Sequence, residues 1–174
     1  MLLPFLLTLV FCSWAEAEAS HQHVGEVVSE QPKEVSGVCP DHWIDATLTG
    51  LGCLYFNSST TATWEEASNW CQHPDNNASL LEIWSELQLD FVRSELTFLQ
   101  DNGVSNDWWT GATDLGRDGR WLWIGSLATV GDFIWYSTNP NGGTADNCQC
   151  LGSWGFLGDD YGCSYSTYFI CQRK

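Results

Sequence analysis

The chain has 174 residues, with 22 Asp and Glu against 6 Lys and Arg, a formal charge of −16, eight cysteines and eleven tryptophans. A surface of that sign repels a phosphate backbone, which proteins hold through clustered Lys and Arg, so nucleic acid is excluded as a partner. The length allows one domain of ordinary size once the terminal segments are set aside.

The apolar run from Leu2 to Trp14 is followed by Ala15, Ala17 and Ala19 at alternating positions, the small-residue pattern a signal peptidase cleaves. Residues 1–19 are therefore expected to be a signal peptide and the mature chain to be secreted and extracellular. The run is shorter than the roughly 20 residues of a spanning helix, and no later segment is apolar enough to cross a bilayer. Loss of the leader removes Cys12, Glu16 and Glu18 and leaves a charge of −14. Residues 20–37 are polar and acidic with few large apolar side chains, which predicts a flexible arm. His21 and His23 lie on it without a third ligand, so a metal is not expected there.

The domain is expected over residues 38–174. Seven cysteines remain in it, and in an oxidising compartment they pair, with one left over. Asn57 and Asn77 head glycosylation sequons. Thr63 with Glu66 forms a capping box that starts a first helix carrying Trp64, Ala67 and Cys71 on one face. Ser85 and Gln88 repeat the signal for a second helix, with Leu87, Phe91, Leu96 and Leu99 as its buried stripe and Glu86, Asp90, Arg93 and Glu95 opposite. After Gly103 come short Trp-rich runs, at Trp108 to Ala112, Trp121 to Ile124 and Phe133 to Tyr136, which predict strands and long loops. Core packing accounts for Trp64, Trp70, Trp109, Trp121 and Trp123, whereas Trp154, set among Gly152, Ser153 and Gly155, is the candidate for an exposed, sugar-stacking ring.

The last third places oxygen-bearing side chains around a proline and between cysteines: Asn139, Pro140 and Asn141, then Asp146 before Cys148, then Asp159 and Asp160 before Cys163. Calcium is a hard cation that takes six to eight oxygens in a permissive geometry, and cysteine-pinned loops can supply them. No nucleophile and base accompany these carboxylates. His42 and His73 are distant in sequence, and an enzyme is not expected.

From Cys39 to Cys171 the chain resembles the long form of the C-type lectin-like domain. Trp109, Thr110, Gly111 and Ala112 are similar to that family's Trp-Ile-Gly-Leu core motif, and Phe169, Ile170, Cys171 and Gln172 to its terminal strand. The resemblance implies an α+β fold in which two helices flank small antiparallel sheets below a long ligand-binding loop region. It implies disulfides Cys39–Cys53, Cys71–Cys171 and Cys148–Cys163. Cys150 is then left as a free buried thiol, as a link to a second chain, or as an exchange partner for Cys148. The proline at 140 would be cis, and Asn139, Asn141, Asp146, Asp159 and Asp160 would hold Ca2+. Some relatives have an auxiliary calcium site; Asp114 and Asp118 fall at two of its positions, with Gly142 and Asn147 at the others, where a polar turn around Gly116 and Gly119 competes as the explanation.

The resemblance also implies a sugar site at Asn139, Asn141, Asp146 and Asp159, with Trp154 beside it. Mannose-like ligands go with Glu-Pro-Asn and galactose-like ones with Gln-Pro-Asp, and this chain has Asn-Pro-Asn. The two amides offer donors on one side and the acceptor-only carboxylates face them, so each sugar hydroxyl meets a mismatch of about 1 kcal/mol or more where water does not bridge. The expected role is a secreted calcium-dependent lectin that recognises glycans on microbes or cell surfaces in innate defence, with homo-oligomers favoured by avidity. The alternative is a calcium-independent module for mineral or protein surfaces.

Overall fold

The computed structural model describes residues 39–174. The expected signal peptide, the acidic arm with His21 and His23, and Val38 lie outside the described residues.

Strands β1 (Ile44–Ala46) and β2 (Gly52–Ala62) form an amino-terminal hairpin. The Cys39–Cys53 disulfide closes it. Helix α1 (Trp64–Gln72) follows directly. Its capping box is complete: the Glu66 N–H donates to Thr63 Oγ1 at 3.3 Å and the Thr63 N–H donates to Glu66 Oε2 at 2.9 Å. That backbone donor, with the Thr63 hydroxyl, holds the Glu66 carboxyl below its ordinary value. A short β3 (Ser79–Leu80) leads to α2 (Glu86–Asp101), which is capped by Ser85. Gln88 does not complete a second box; its Oε1 accepts from the Trp84 N–H at 2.7 Å and its Nε2 donates to the Thr49 carbonyl at 3.0 Å, tying α2 to the first hairpin.

The buried stripe of α2 is Gln88, Leu89, Val92 and Leu96, with Phe91 and Leu99 partly buried. Leu87 is 65% exposed, against expectation. Positions 87 and 96 are nine residues apart, which at 3.6 residues per turn is about half a turn out of phase. Trp70 departs in the same way. It lies six residues beyond Trp64, on another face of α1, and stays 37% exposed, stacked on Tyr55 at 5.3 Å.

Strands β4 (Trp108–Thr113), β5 (Leu122–Trp123), β6 (Cys148–Leu151), β7 (Gly158–Tyr161) and β8 (Thr167–Arg173) complete one sheet. The order is β1-β2-β8-β4-β6-β7. One edge of β8 pairs with β2. The other is shared between β4, parallel at Tyr168 and Phe169, and β3 at Cys171 and Gln172. Gly111 explains part of this junction. A Cβ there would sit 3.1 and 3.2 Å from the carbonyls of Leu80 and Leu81, while its N–H donates to Leu81 at 2.8 Å. The expected strand at Phe133 to Tyr136 is instead a 3-10 turn over Asp132–Ile134, followed by a single bridge from Trp135 to Gly158. Ile134 is the one residue of that turn fully buried, which a turn at the sheet margin satisfies as well as a strand would.

Two apolar clusters fill the core. One packs α2 against β4 and β8 around Trp108, Trp123 and Leu96; the other packs α1 around Trp64, Trp109, Phe169 and the Cys71–Cys171 disulfide. Trp64 Nε1 donates to the Thr110 carbonyl at 2.8 Å and Trp109 Nε1 to the Ala62 carbonyl at 2.9 Å, so both rings bury with their polar atom paired.

Candidate metal and ligand site

The segment after Trp135 runs alongside β7. The Tyr136 N–H donates to the Gly158 carbonyl at 2.9 Å, and the Asn139 N–H donates back to the Tyr136 carbonyl at 2.8 Å. Asn139 and Asn141, on either side of the cis Asn139–Pro140 bond, thereby face Asp159 and Asp160. The Asn139 amide donates to Asp159 Oδ1, and the Asn141 amide donates to Asn139 Oδ1. Asp160 Oδ2 accepts from the Asn141 N–H at 2.8 Å and from the Gly142 N–H. The β7 register sets Gln149 opposite Asp160 and Cys150 opposite Asp159, and the Cys148–Cys163 disulfide braces the ends of β6 and β7.

Asp159 and Asp160 are neighbours on a strand, so they alternate in burial: Asp159 is half-buried and Asp160 is only 7% exposed. Burial, followed by the charge of Asp160, pushes the Asp159 carboxyl above its ordinary value. Asp114 is 3% exposed and raised likewise, first by burial; Asp118 and Asp160 add to the rise, opposed by the Gly119 N–H that donates to its Oδ2 at 2.8 Å. Its other oxygen is buried without a hydrogen-bond partner among the described residues. A polar turn therefore does exist at Asp114, as the sequence suggested, yet it satisfies only half of the carboxylate.

Asp114 and Asp118 line one small cavity of about 80 Å3 together with Asp146, Asp160, Pro140 and Gly143. The principal and auxiliary residue sets thus border a common space. Asp146 lies against the Cα of Gly142, where no Cβ would fit. Asn147 holds its amide on the Thr144 carbonyl at 2.9 Å, and its own carbonyl accepts from the Asp114 N–H at 3.2 Å.

Every side-chain donor is oxygen, as a hard cation requires. The orphaned Asp114 oxygen and the clustered, disfavoured carboxylates both gain from a cation. Among the described residues no group of three or more His, Cys, Asp and Glu is close enough to hold a metal. An ion would therefore draw on the amide oxygens of Asn139 and Asn141 and on water besides the acids. The residues fit calcium on those terms.

Trp154 is 48% exposed, as its loop position suggested, and packs edge-on against Tyr136, itself 47% exposed, at 4.0 Å between ring centroids. Tyr136 was not singled out as a site residue in the sequence; it opens the turn closed by the Asn139 N–H, and its signal was an aromatic at the end of a Trp-rich run. Gly119 and Trp121, expected as a turn glycine and a core ring, also line the cavity. Cys150 is a free thiol buried in β6, pushed well up by burial and by the charges of Asp107 and Asp159. Asn57 is 3% exposed, and its Oδ1 accepts from the backbone N–H groups and hydroxyls of Ser59 and Thr60. Asn77 is exposed, in a left-handed turn at φ 44°.

The sequence profile of the Lectin C-type domain matches residues 60–173. The chain belongs to the C-type lectin domain family, whose members are binding proteins rather than enzymes. It is 31% identical over 140 residues to human C-type lectin domain family 17 member A, a match spanning 78% of this chain but only 32% of that protein. It is 29% identical over 127 residues to Perlucin of Haliotis laevigata, covering 70% of this chain and 76% of that one. Among solved structures, the carbohydrate-recognition domain of the mouse scavenger receptor C-type lectin aligns with a TM-score of 0.65 at 23% identity, over 78% of this chain and 96% of that domain. A calcium-independent type II antifreeze protein aligns with a TM-score of 0.64 at 25% identity, over 78% and 94%. The same fold thus carries both a carbohydrate-recognition domain and a calcium-independent antifreeze protein. Among the described residues no helix is long and apolar enough to cross a membrane.

Proposed function

We propose that this chain is a secreted, calcium-dependent carbohydrate-binding protein that recognises glycans on microbial or cell surfaces, with a role in innate defence. One observation carries the reading: Asn139 and Asn141 donate to two adjacent carboxylates 20 and 19 residues further on, on one side of the domain, beside a cavity lined by three further acids. Asn139, Asn141, Asp146, Asp159 and Asp160 would hold calcium, and Asp114, Asp118 and Asn147 would take a second ion. A bound calcium supplies positive charge and coordination positions for two neighbouring sugar hydroxyls.

The chain's own side chains set the selectivity. Asn139 and Asn141 present amide donors, while Asp146 and Asp159 only accept. Their present bonds, amide to carboxylate and amide to amide, must open to receive a hydroxyl. Weak or unusual monosaccharide selectivity follows, and the exposed Tyr136 and Trp154 rings offer an apolar face for the sugar. Weak single sites favour homo-oligomers.

The same bonds also support a second reading, a calcium-independent module for protein, mineral or ice surfaces, because Asn139 and the backbone of Asn141 and Gly142 already satisfy Asp159 and Asp160. Calorimetric titration of the calcium-free domain, followed by a glycan array with and without chelator, separates the two. Calcium uptake and chelator-sensitive glycan binding support the lectin. Undiminished surface binding in chelator supports the second reading, and tight mannose binding would show that the donor count misjudges the site.

A further inference from the structure

The connection from β4 to β5 sorts its charges onto two sides. Asp114 and Asp118 turn to the acidic cavity, whereas Arg117 and Arg120, from the same turn, line a separate groove that shares no residue with it. The groove has a volume of about 290 Å3. Its inner wall is the Trp64 ring, with Leu122 and Ile124 beside it. At its rim stand Leu115, 59% exposed, and Leu127, 68% exposed. Leu127 closes a turn, its N–H donating to the Trp123 carbonyl at 2.8 Å, and adopts φ 60°, a left-handed conformation unfavourable for a branched side chain.

Two of the six cations of an acidic chain therefore border one apolar groove. Among the described residues neither guanidinium forms an ion pair or a side-chain hydrogen bond, although carboxylates abound. A planar guanidinium fork matches a carboxylate through two parallel hydrogen bonds. The volume, equal to about ten water molecules, is at the lower end for small-molecule sites. It suits an unbranched chain of medium length.

We propose that this groove binds a free medium-chain carboxylate, its aliphatic body on Trp64, Leu122 and Ile124 and its acid group on Arg117 and Arg120. The site is independent of calcium and sugar. Burial of the chain supplies the attraction, and the guanidinium pair selects an anionic head over a neutral one.

The test uses 8-anilino-1-naphthalenesulfonate, an aromatic anion, as a fluorescent reporter at low salt, displaced by decanoate below its micellar concentration. Saturable one-to-one binding is expected, equal in calcium and in chelator, with decanoate displacing the dye at least ten-fold better than decanol. Arg120→Glu and, separately, Leu127→Asp should each weaken binding at least ten-fold while near-ultraviolet circular dichroism and the calcium titration stay as in the parent. Arg120→Gln, a milder change at an exposed position, should weaken it in the same direction. Equal displacement by decanol, dye binding unaltered by all three substitutions, binding to anionic vesicles without binding to decanoate, or a groove closed by dimerisation in sedimentation would each overturn the proposal.

Discussion

The sheet with its two helices and the loops between β5 and β8 are held by different forces. The first is mainly apolar: Trp108, Trp109, Trp123, Phe169, Leu54 and Leu96 are fully or almost fully buried, and the nitrogens of Trp64 and Trp109 reach carbonyls across long sequence separations. The second buries carboxylates, closes on one disulfide, and uses amides to satisfy acids. Apolar burial needs no partner outside the chain. Clustered carboxylates leave unfavourable charge that a cation relieves, so the loop region should respond to calcium and pH where the sheet does not.

The largest test of that contrast is the disulfides. Replacing Cys71 and Cys171 by serine opens a connection of 100 residues and should cost about 4–5 kcal/mol in the chain-entropy view, seen as a fall in melting temperature with or without calcium. Replacing Cys148 and Cys163, 15 apart, should cost about 3 kcal/mol and be partly recovered by calcium. If calcium rescues both equally, the two regions are not energetically distinct. Next in size, Leu96→Ala should destabilise by about 2–5 kcal/mol in denaturant unfolding, whereas Leu87→Ala, on the exposed side of α2, should change stability by less than about 0.5 kcal/mol. Asp160→Ala should weaken calcium binding at least ten-fold, about 1.4 kcal/mol, in a calorimetric titration and leave the fold intact by circular dichroism.

Smaller effects follow from pH. Asp114 and Asp159 bind protons more readily in the folded domain than in the unfolded chain, because both are raised. The calcium-free domain should then gain stability as pH falls from neutral through the raised values toward the ordinary carboxylate value near about 3.9. With saturating calcium the sign should reverse in that window, since protons compete with the ion. Melting curves at several pH values, with calcium and with chelator, would show the two trends converging in acid; parallel trends would sink the idea. Last, mass spectrometry of secreted protein should find a glycan at Asn77 and none at Asn57, whose side chain is committed to Ser59 and Thr60.

Local and periodic signals made much of this legible. The cap at Thr63 needs only four consecutive residues, so the start of α1 followed from the sequence, as did the exposed Trp154 among small loop residues. Of the expected stripe on α2 only Leu87 falls outside, because it is as apolar as Leu89 and Val92 and only packing against the sheet chooses between them. Phe133 to Tyr136 reads as a strand by composition, but a 3-10 turn buries Ile134 equally well, and a local pattern does not distinguish the two.

Residue type and short spacing specify the ingredients: an acidic chain, seven cysteines after the leader, many tryptophans for a core, and oxygen donors grouped around Pro140; the cysteine pairing follows only from the family resemblance. Tertiary structure alone decided the rest. It brought Asp114 and Asp118 to the cavity of Asp146 and Asp160, paired Asn139 with Asp159, and turned Arg117 and Arg120 away into an apolar groove. Those outcomes depend on strand register and on which side of a turn a side chain leaves the backbone, where a shift of one residue reverses the result.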